Sequence, residues 1–291
     1  MNTIYQDSPI DDDKRREELY RGQLFSYSPT KNTKAFIDFA RELIENAFAG
    51  LDPITAQFHM EVEEYVKILT KLKPEFIHHH KSKELIKLIL IERGCDPDKT
   101  YFDVPRMRTS TSDNYLTSGI AYAFHPHRDT WYSAPMCQLN WWLPIYEVES
   151  DNIMAFHPNY FSTPVKNGSK DYNYQKWNET SRKEAAKHVK NDTRKQPKPE
   201  EDISLDPQIR IVTPPGAMVV FSAAQMHSSV PNLTGKTRFS IDFRTVHIGD
   251  LVEEKGATNI DSECTGTTVG DYLQVSSFEH IPQTVVDRFL V

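Results

Sequence analysis

The chain has 291 residues, 38% hydrophobic and 26% charged, with a formal net charge of −7. That composition supports a folded core rather than a disordered chain, and the acidic balance argues against a nucleic-acid partner, whose phosphates attract basic surfaces. Three widely spaced cysteines, Cys95, Cys137 and Cys264, form no disulfide framework or CxxC zinc motif. With no apolar signal-peptide core and no membrane-length apolar run, a cytoplasmic protein with no membrane partner is expected.

Residues 1–20 read as a polar arm with a short helix, and residues 22–27 as a strand. From Asn32 to Ala49, Phe36, Phe39, Ala40, Leu43, Ile44 and Phe48 recur at three- and four-residue spacing, the apolar stripe of an amphipathic helix. Two more helices are expected over Pro53–Leu72 and Pro74–Arg93, the second ended by Gly94. After Pro97 the pattern changes to short segments rich in aromatic and β-branched residues. Strands are expected at Tyr101–Ser110, Gly119–Phe124, Met136–Tyr146, Asn152–Phe156, Ile209–Thr213, Ala217–Ser222 and Thr237–His247. The polar stretch from Pro158 to Pro207 reads as a loop with a short helix outside the core. The Gly/Thr-rich tail after 248 supports no assignment. Helices first and many short strands afterwards predict one mainly β domain with flanking helices. It comprises a helical region at 1–97, a jelly-roll barrel at 98–248 with an insertion at 158–207, and a tail at 249–291. The N-terminal helices are expected to pack on one sheet.

The chemistry is concentrated in HPHRDTW (residues 125–131) and, about a hundred residues on, QMHSS (residues 225–229). On a strand, residues i and i+2 project to one face, so His127 and Asp129 are expected to point together. His227 follows the apolar run Ala217–Phe221 on a later strand. Two imidazoles and a carboxylate on one face of an octahedral iron leave three positions open, two for a chelating 2-oxo acid and one for O2. A lone HxD is common and by itself reads as a pair of surface strand residues rather than a metal site. Arg238 and Ser240 change the balance, because a guanidinium and a hydroxyl on one strand face suit the distal carboxylate of 2-oxoglutarate.

Together, His127–Asp129, Pro215–Ser229 and Arg238–Ser240 resemble the Fe(II)/2-oxoglutarate-dependent dioxygenases, in particular the phytanoyl-CoA dioxygenase-like branch, over residues 100–248. The resemblance implies a double-stranded β-helix and an oxygenase using Fe(II), 2-oxoglutarate and O2 on a small-molecule substrate. It implies His127, Asp129 and His227 as iron ligands, and Arg238 with Ser240 on the cosubstrate's C5 carboxylate. It adds Ser229, two residues after the distal histidine, and Trp142 as cosubstrate contacts. Related halogenases have Gly or Ala at the carboxylate position; Asp129 therefore favours hydroxylation or a related oxidation. The 158–207 insertion departs from the common pattern, in a region that usually shapes the substrate pocket.

Other residues carry two readings each. Gln138, Asn140 and Trp142 alternate with Leu139, Trp141 and Leu143; the polar pair would hold cosubstrate or substrate, or serve as packed amides. Arg106 and Arg108, sharing a face, suit an anionic substrate or structural salt bridges, and Arg244 is read the same way. Arg128 should point away from the metal. His78, His79 and His80 cannot share a helix face and read as a solvated helix start. His125 reads as a packed residue, and His157 and Tyr160 border the insertion. The rival functions are a cupin-like metalloenzyme that does not use 2-oxoglutarate and a non-catalytic jelly-roll binding module. A homo-oligomer stays open.

Overall fold

The structure is a computed structural model describing residues 3–117, 125–180 and 194–290. The strand expected at Gly119–Phe124 lies outside the described residues. Four N-terminal helices are present: α1 (Asp12–Tyr20), α2 (Lys31–Ala47), α3 (Val62–His78) and α4 (His80–Glu92). Helix α2 starts on a reciprocal capping box between Thr30 and Thr33, which satisfies N–H groups that would otherwise lack partners. Its apolar stripe buries Phe36, Phe39, Ala40 and Ile44. The break expected before Pro74 falls instead at His79: Pro74 sits inside α3. His79 is extended and caps α4 by accepting the Lys81 N–H on Nδ1 at 3.1 Å, so that cap decides where the chain turns.

The strands are β1 (Ile4–Gln6), β2 (Leu24–Tyr27), β3 (Thr100–Phe102), β4 (Arg106–Ser110), β5 (Leu139–Pro144), β6 (Met154–Phe156), β7 (Met218–Ser222), β8 (His227–Ser229), β9 (Arg238–His247) and β10 (Leu273–Gln274). Eight of them form one mixed sheet in the order β1-β2-β7-β5-β9-β3-β10, with β4 also on β9; β6 and β8 make a two-stranded sheet. The strand expected at Tyr101–Ser110 is two, β3 and β4, separated by Pro105, which cannot donate to a ladder. Both halves pair with the same edge of β9, and β5 holds the other. Of the strand expected at 209–213, only an isolated bridge from Ile209 to Phe156 forms.

Strand alternation gives the large sheet two different faces. Phe239, Ile241 and Phe243 of β9, with Leu139, Trp141 and Leu143 of β5 and Met218 and Val220 of β7, pack into one core with α2, α3 and α4. The helices thus cover one face, as expected. The opposite face of β9 carries Arg238, Ser240, Asp242 and Arg244. It is from this face that the candidate site is built. Short helices α5 (Tyr174–Thr180), α6 (Ile248–Val252) and α7 (Gln283–Val286) complete the described structure.

Phe76 joins the helical layer together: it is fully buried and stacks on Phe36 at 5.6 Å and Phe39 at 6.2 Å between centroids. Phe76→Ala should destabilise the fold by about 3–5 kcal/mol through lost burial and a residual cavity. Denaturant unfolding measures this, and a loss under about 1 kcal/mol would mean that the layer is not docked through this ring.

Candidate active site

His127 and His227 face each other as an antiparallel bridge, each N–H donating to the other's carbonyl at 3.0 Å. Paired residues in a ladder project their side chains to the same side, and the two rings lie 4.3 Å apart between centroids. Asp129 arrives differently from the expectation. It is not on a strand with His127; it opens a 3-10 turn, Asp129–Tyr132, that bends the chain back over the site. Its Oδ1 lies 3.5 Å from His127 Nε2. One ligand atom from each of the three residues falls within a 4.8 Å cluster, a spacing that could hold a metal ion.

The imidazoles are oriented alike. His127 Nδ1 bonds to the His125 carbonyl at 2.8 Å, and His227 Nδ1 to the Gln225 carbonyl at 3.0 Å. A carbonyl only accepts, so each Nδ1 carries the proton and each Nε2 presents a lone pair to the cluster. Burial, reinforced by His127, pushes His227 down to about 4, keeping it neutral and able to ligate. Burial would raise Asp129, but the Arg244 guanidinium, with its Nε 3.8 Å from Oδ2, and the histidines hold this carboxyl well below the usual carboxylate range. Arg244 is itself held by Asp103, which accepts its backbone N–H at 2.7 Å.

Gln138 lies behind Asp129 rather than in the cavity. Its Nε2 donates to Asp129 Oδ2 at 3.3 Å and to Asn140 Oδ1 at 2.9 Å, while its Oε1 accepts from Tyr272 of the C-terminal tail at 2.7 Å. Asn140 and Trp142 face the cavity, and Leu139, Trp141 and Leu143 face the core, which settles the orientation of β5.

The cavity in front of the cluster has a volume of about 370 Å³ and includes Ser229, Trp142 and Arg238 in its lining. Arg238 donates to the Asn152 carbonyl at 2.8 Å and lies 5.9 Å from the Trp142 ring. Its Nε and the Ser240 hydroxyl are buried and, among the described residues, have no hydrogen-bond partner. Two such neighbouring donors on one strand face are costly unless an acceptor arrives. Arg108 forms a two-pronged ion pair with Asp242, and Arg106 pairs with Asp103.

The insertion is not outside the site. Tyr172, Tyr174 and Trp177 line the cavity. A run of rings leads from His127 through Tyr132 at 5.5 Å, Tyr172 at 5.3 Å and Trp177 at 5.8 Å, where Arg194 lies 5.2 Å over the last ring. The tail clamps the ligand turn. Asp261 accepts from Arg128 Nε at 3.1 Å, Trp131 Nε1 at 2.8 Å and the Val165 N–H at 3.0 Å. Arg128 points away from the cluster and also donates to the Ala224 carbonyl at 2.7 Å. His157 is buried between Leu205 O and Ser228 Oγ, and His125 bonds to Pro197 O; both tie the insertion to the sheet. His78, His79 and His80 are exposed at the α3–α4 junction, away from the cluster. Most of the basic run at 182–198 lies outside the described residues.

No protein-family model matches the chain, and no curated protein matches it. Several solved structures are similar to it, among them a non-heme monooxygenase and a non-heme alpha ketoglutarate dependent epimerase. EvdO2 from Micromonospora carbonacea var. aurantiaca, complexed with 2-oxoglutarate, is 14% identical with a TM-score of 0.45, covering 82% of this chain and 92% of its own. The epimerase SnoN, in complex with Fe3+, alpha ketoglutarate and nogalamycin RO, is 12% identical with a TM-score of 0.43, covering 81% and 85%. The non-heme monooxygenase ThoJ, in its apo form, is 12% identical with a TM-score of 0.42, covering 80% and 76%.

Gln138→Leu should loosen Asp129 and strand the Tyr272 hydroxyl, weakening metal affinity about 10–100-fold, as loss of a group supporting a ligand does. Titration with Fe(II) or Ni(II) reads this directly; an unchanged affinity would show that Gln138 does not orient the carboxylate.

Proposed function

We propose that the protein is an Fe(II)- and 2-oxoglutarate-dependent oxygenase that hydroxylates a small-molecule metabolite, with release of succinate and CO2. One observation carries the reading. A two-histidine, one-carboxylate cluster shares its cavity with Arg238, and two buried donors on that strand face, the Arg238 Nε and the Ser240 hydroxyl, have no acceptor among the described residues. The donor set suits Fe(II): a structural zinc site would close with a fourth protein ligand, whereas three ligands on one face leave room for a chelating cosubstrate.

In this reading His127, Asp129 and His227 hold the iron, and Arg238, Ser240 and Ser229 take the distal carboxylate of 2-oxoglutarate. Trp142, beside Arg238, and Asn140, with Gln138 behind it, line the same cavity and would contact the cosubstrate. Bound iron and 2-oxoglutarate supply the O2-dependent oxidation. The protein's own contribution is positioning and exclusion of water. Arg244 and Gln138 keep Asp129 ionised and aimed, the Nδ1 hydrogen bonds fix both imidazoles, and the ring wall of Tyr132, Tyr172 and Trp177 shields the face where a substrate would lie. Asp129 occupies the place a halide would need, which favours hydroxylation. We read the large sheet and the β6–β8 pair, which the His127 bridge extends, as the two walls of a jelly-roll barrel in a single domain. Among the described residues no helix is long and apolar enough to cross a membrane.

Anaerobic titration of the purified protein with Fe(II) and 2-oxoglutarate, followed by O2, tests the reading through cosubstrate binding and succinate formation. Arg238→Ala should weaken 2-oxoglutarate binding on the order of 100-fold while leaving metal binding intact. Turnover that survives this substitution would favour a metalloenzyme that does not use 2-oxoglutarate. Absence of any metal binding would favour a binding module.

A further inference from the structure

Strands β3 and β4 pair with the same edge of β9, and the break between them leaves a gap in that ladder. Phe102 pairs with Thr245 and Arg106 with Asp242, so Phe243 and Arg244 span the interruption. Asp103 fills it. Its N–H donates to the Arg244 carbonyl at 3.0 Å, and its Oδ1 accepts the Arg244 N–H at 2.7 Å. The side chain stands in for the carbonyl that a continuous strand would have offered.

A neutral acceptor would serve that purpose. Asp103 is 2% exposed, and a carboxylate so buried is costly unless cations answer it. Two do. Its Oδ2 accepts from Arg106 and lies 3.6 Å from Arg244 Nη1. Arg244 in turn brings its Nε to 3.8 Å from Asp129 Oδ2. A guanidinium is a rigid plane, so a carboxylate that draws in Nη1 also sets the direction of Nε. The two oxygens of Asp129 are thereby sorted. Oδ2 faces Arg244 and lies 3.3 Å from Gln138 Nε2, whereas Oδ1 lies 3.5 Å from His127 Nε2 within the cluster.

We propose that Asp103 is a positioning residue for the metal centre, acting through Arg244 on the outer oxygen of Asp129, so that the gap between β3 and β4 decides which oxygen an ion receives. This rests on the reading of His127, Asp129 and His227 as the metal site. With the charge of Asp103 removed, Arg244 is drawn further onto Asp129, and that carboxylate becomes less available to an ion.

The test is calorimetric titration of the purified, metal-free protein with Ni(II) and, anaerobically, with Fe(II). Asp103→Asn keeps an acceptor for the Arg244 N–H and removes the charge, and Asp103→Ser offers a smaller neutral acceptor. Two variants are used so that one failing to fold does not remove the comparison, and the thermal midpoint of each metal-free variant reports folding. Each should weaken metal binding about tenfold or more. In an Arg244→Met background the same substitutions should change metal affinity less than about twofold, because the group that carries the effect is gone. Unchanged metal affinity in the folded single variants overturns the proposal. So do equal losses in both backgrounds, which would make Asp103 a plug in the ladder and nothing more. If the wild-type protein itself binds neither metal, the functional reading falls, and this inference falls with it.

Discussion

The site depends on a single rung of ladder. Two reciprocal backbone hydrogen bonds between His127 and His227 join stretches of chain a hundred residues apart and force both imidazoles to the same side. Side-chain packing alone would leave each ring several rotamers. Here the backbone fixes the origin of each side chain and a carbonyl two residues upstream fixes each ring's tilt and tautomer. The third donor comes from the chain's exit from this rung, where Asp129 opens the 3-10 turn. Geometry of this kind is preorganised: little has to be ordered when an ion arrives.

What holds the rung in place comes from far away in sequence. Asp261 in the tail gathers Arg128, Trp131 and the start of the insertion around one carboxylate, and Tyr272 reaches Gln138 and through it Asp129. A buried arginine next to the cluster would be costly without such a partner. With it, the charge becomes a fastener between the ligand turn, the chain leading to His227 and the insertion. The tail is thus part of the machinery that keeps the donors aimed.

The legible parts of the sequence were those whose chemistry and periodicity agree. Arg238 and Ser240 could be placed on one face because a strand repeats every two residues, and α2 because its apolar stripe repeats every three or four. His127 and His227 stood out by residue type. The same alternation argument put Asp129 on a strand, and it failed there because the 3-10 turn bends the chain within two residues of the bridge. Pro74 misled in the other direction: an exposed proline inside a helix was outweighed by the His79 cap. The place of Lys73 in the cavity lining was silent, since a lysine on an amphipathic helix reads as a solvated residue until the sheet beneath it is known. Tyr172 and Trp177 sat in a stretch dominated by polar residues, and Asp261 and Tyr272 in a tail with no period at all. Their roles are long-range contacts, which local pattern does not encode.

The two-faced character of β9 has a consequence for how the chain finds its pairing. Phe239, Ile241 and Phe243 enter the hydrocarbon core, while Arg238, Asp242 and Arg244 line the cavity and Ser240 lies buried on their face of the strand. Sliding this strand by one residue against β4 and β5 would exchange the two sets, driving three ionised groups into oil and three large apolar groups into a polar chamber. No intermediate offset is available, because side chains alternate strictly. Misaligned arrangements are therefore rejected during folding by the very residues that give the cavity its charge. Substitutions that neutralise this face would erode alignment fidelity as well as the polarity of the cavity.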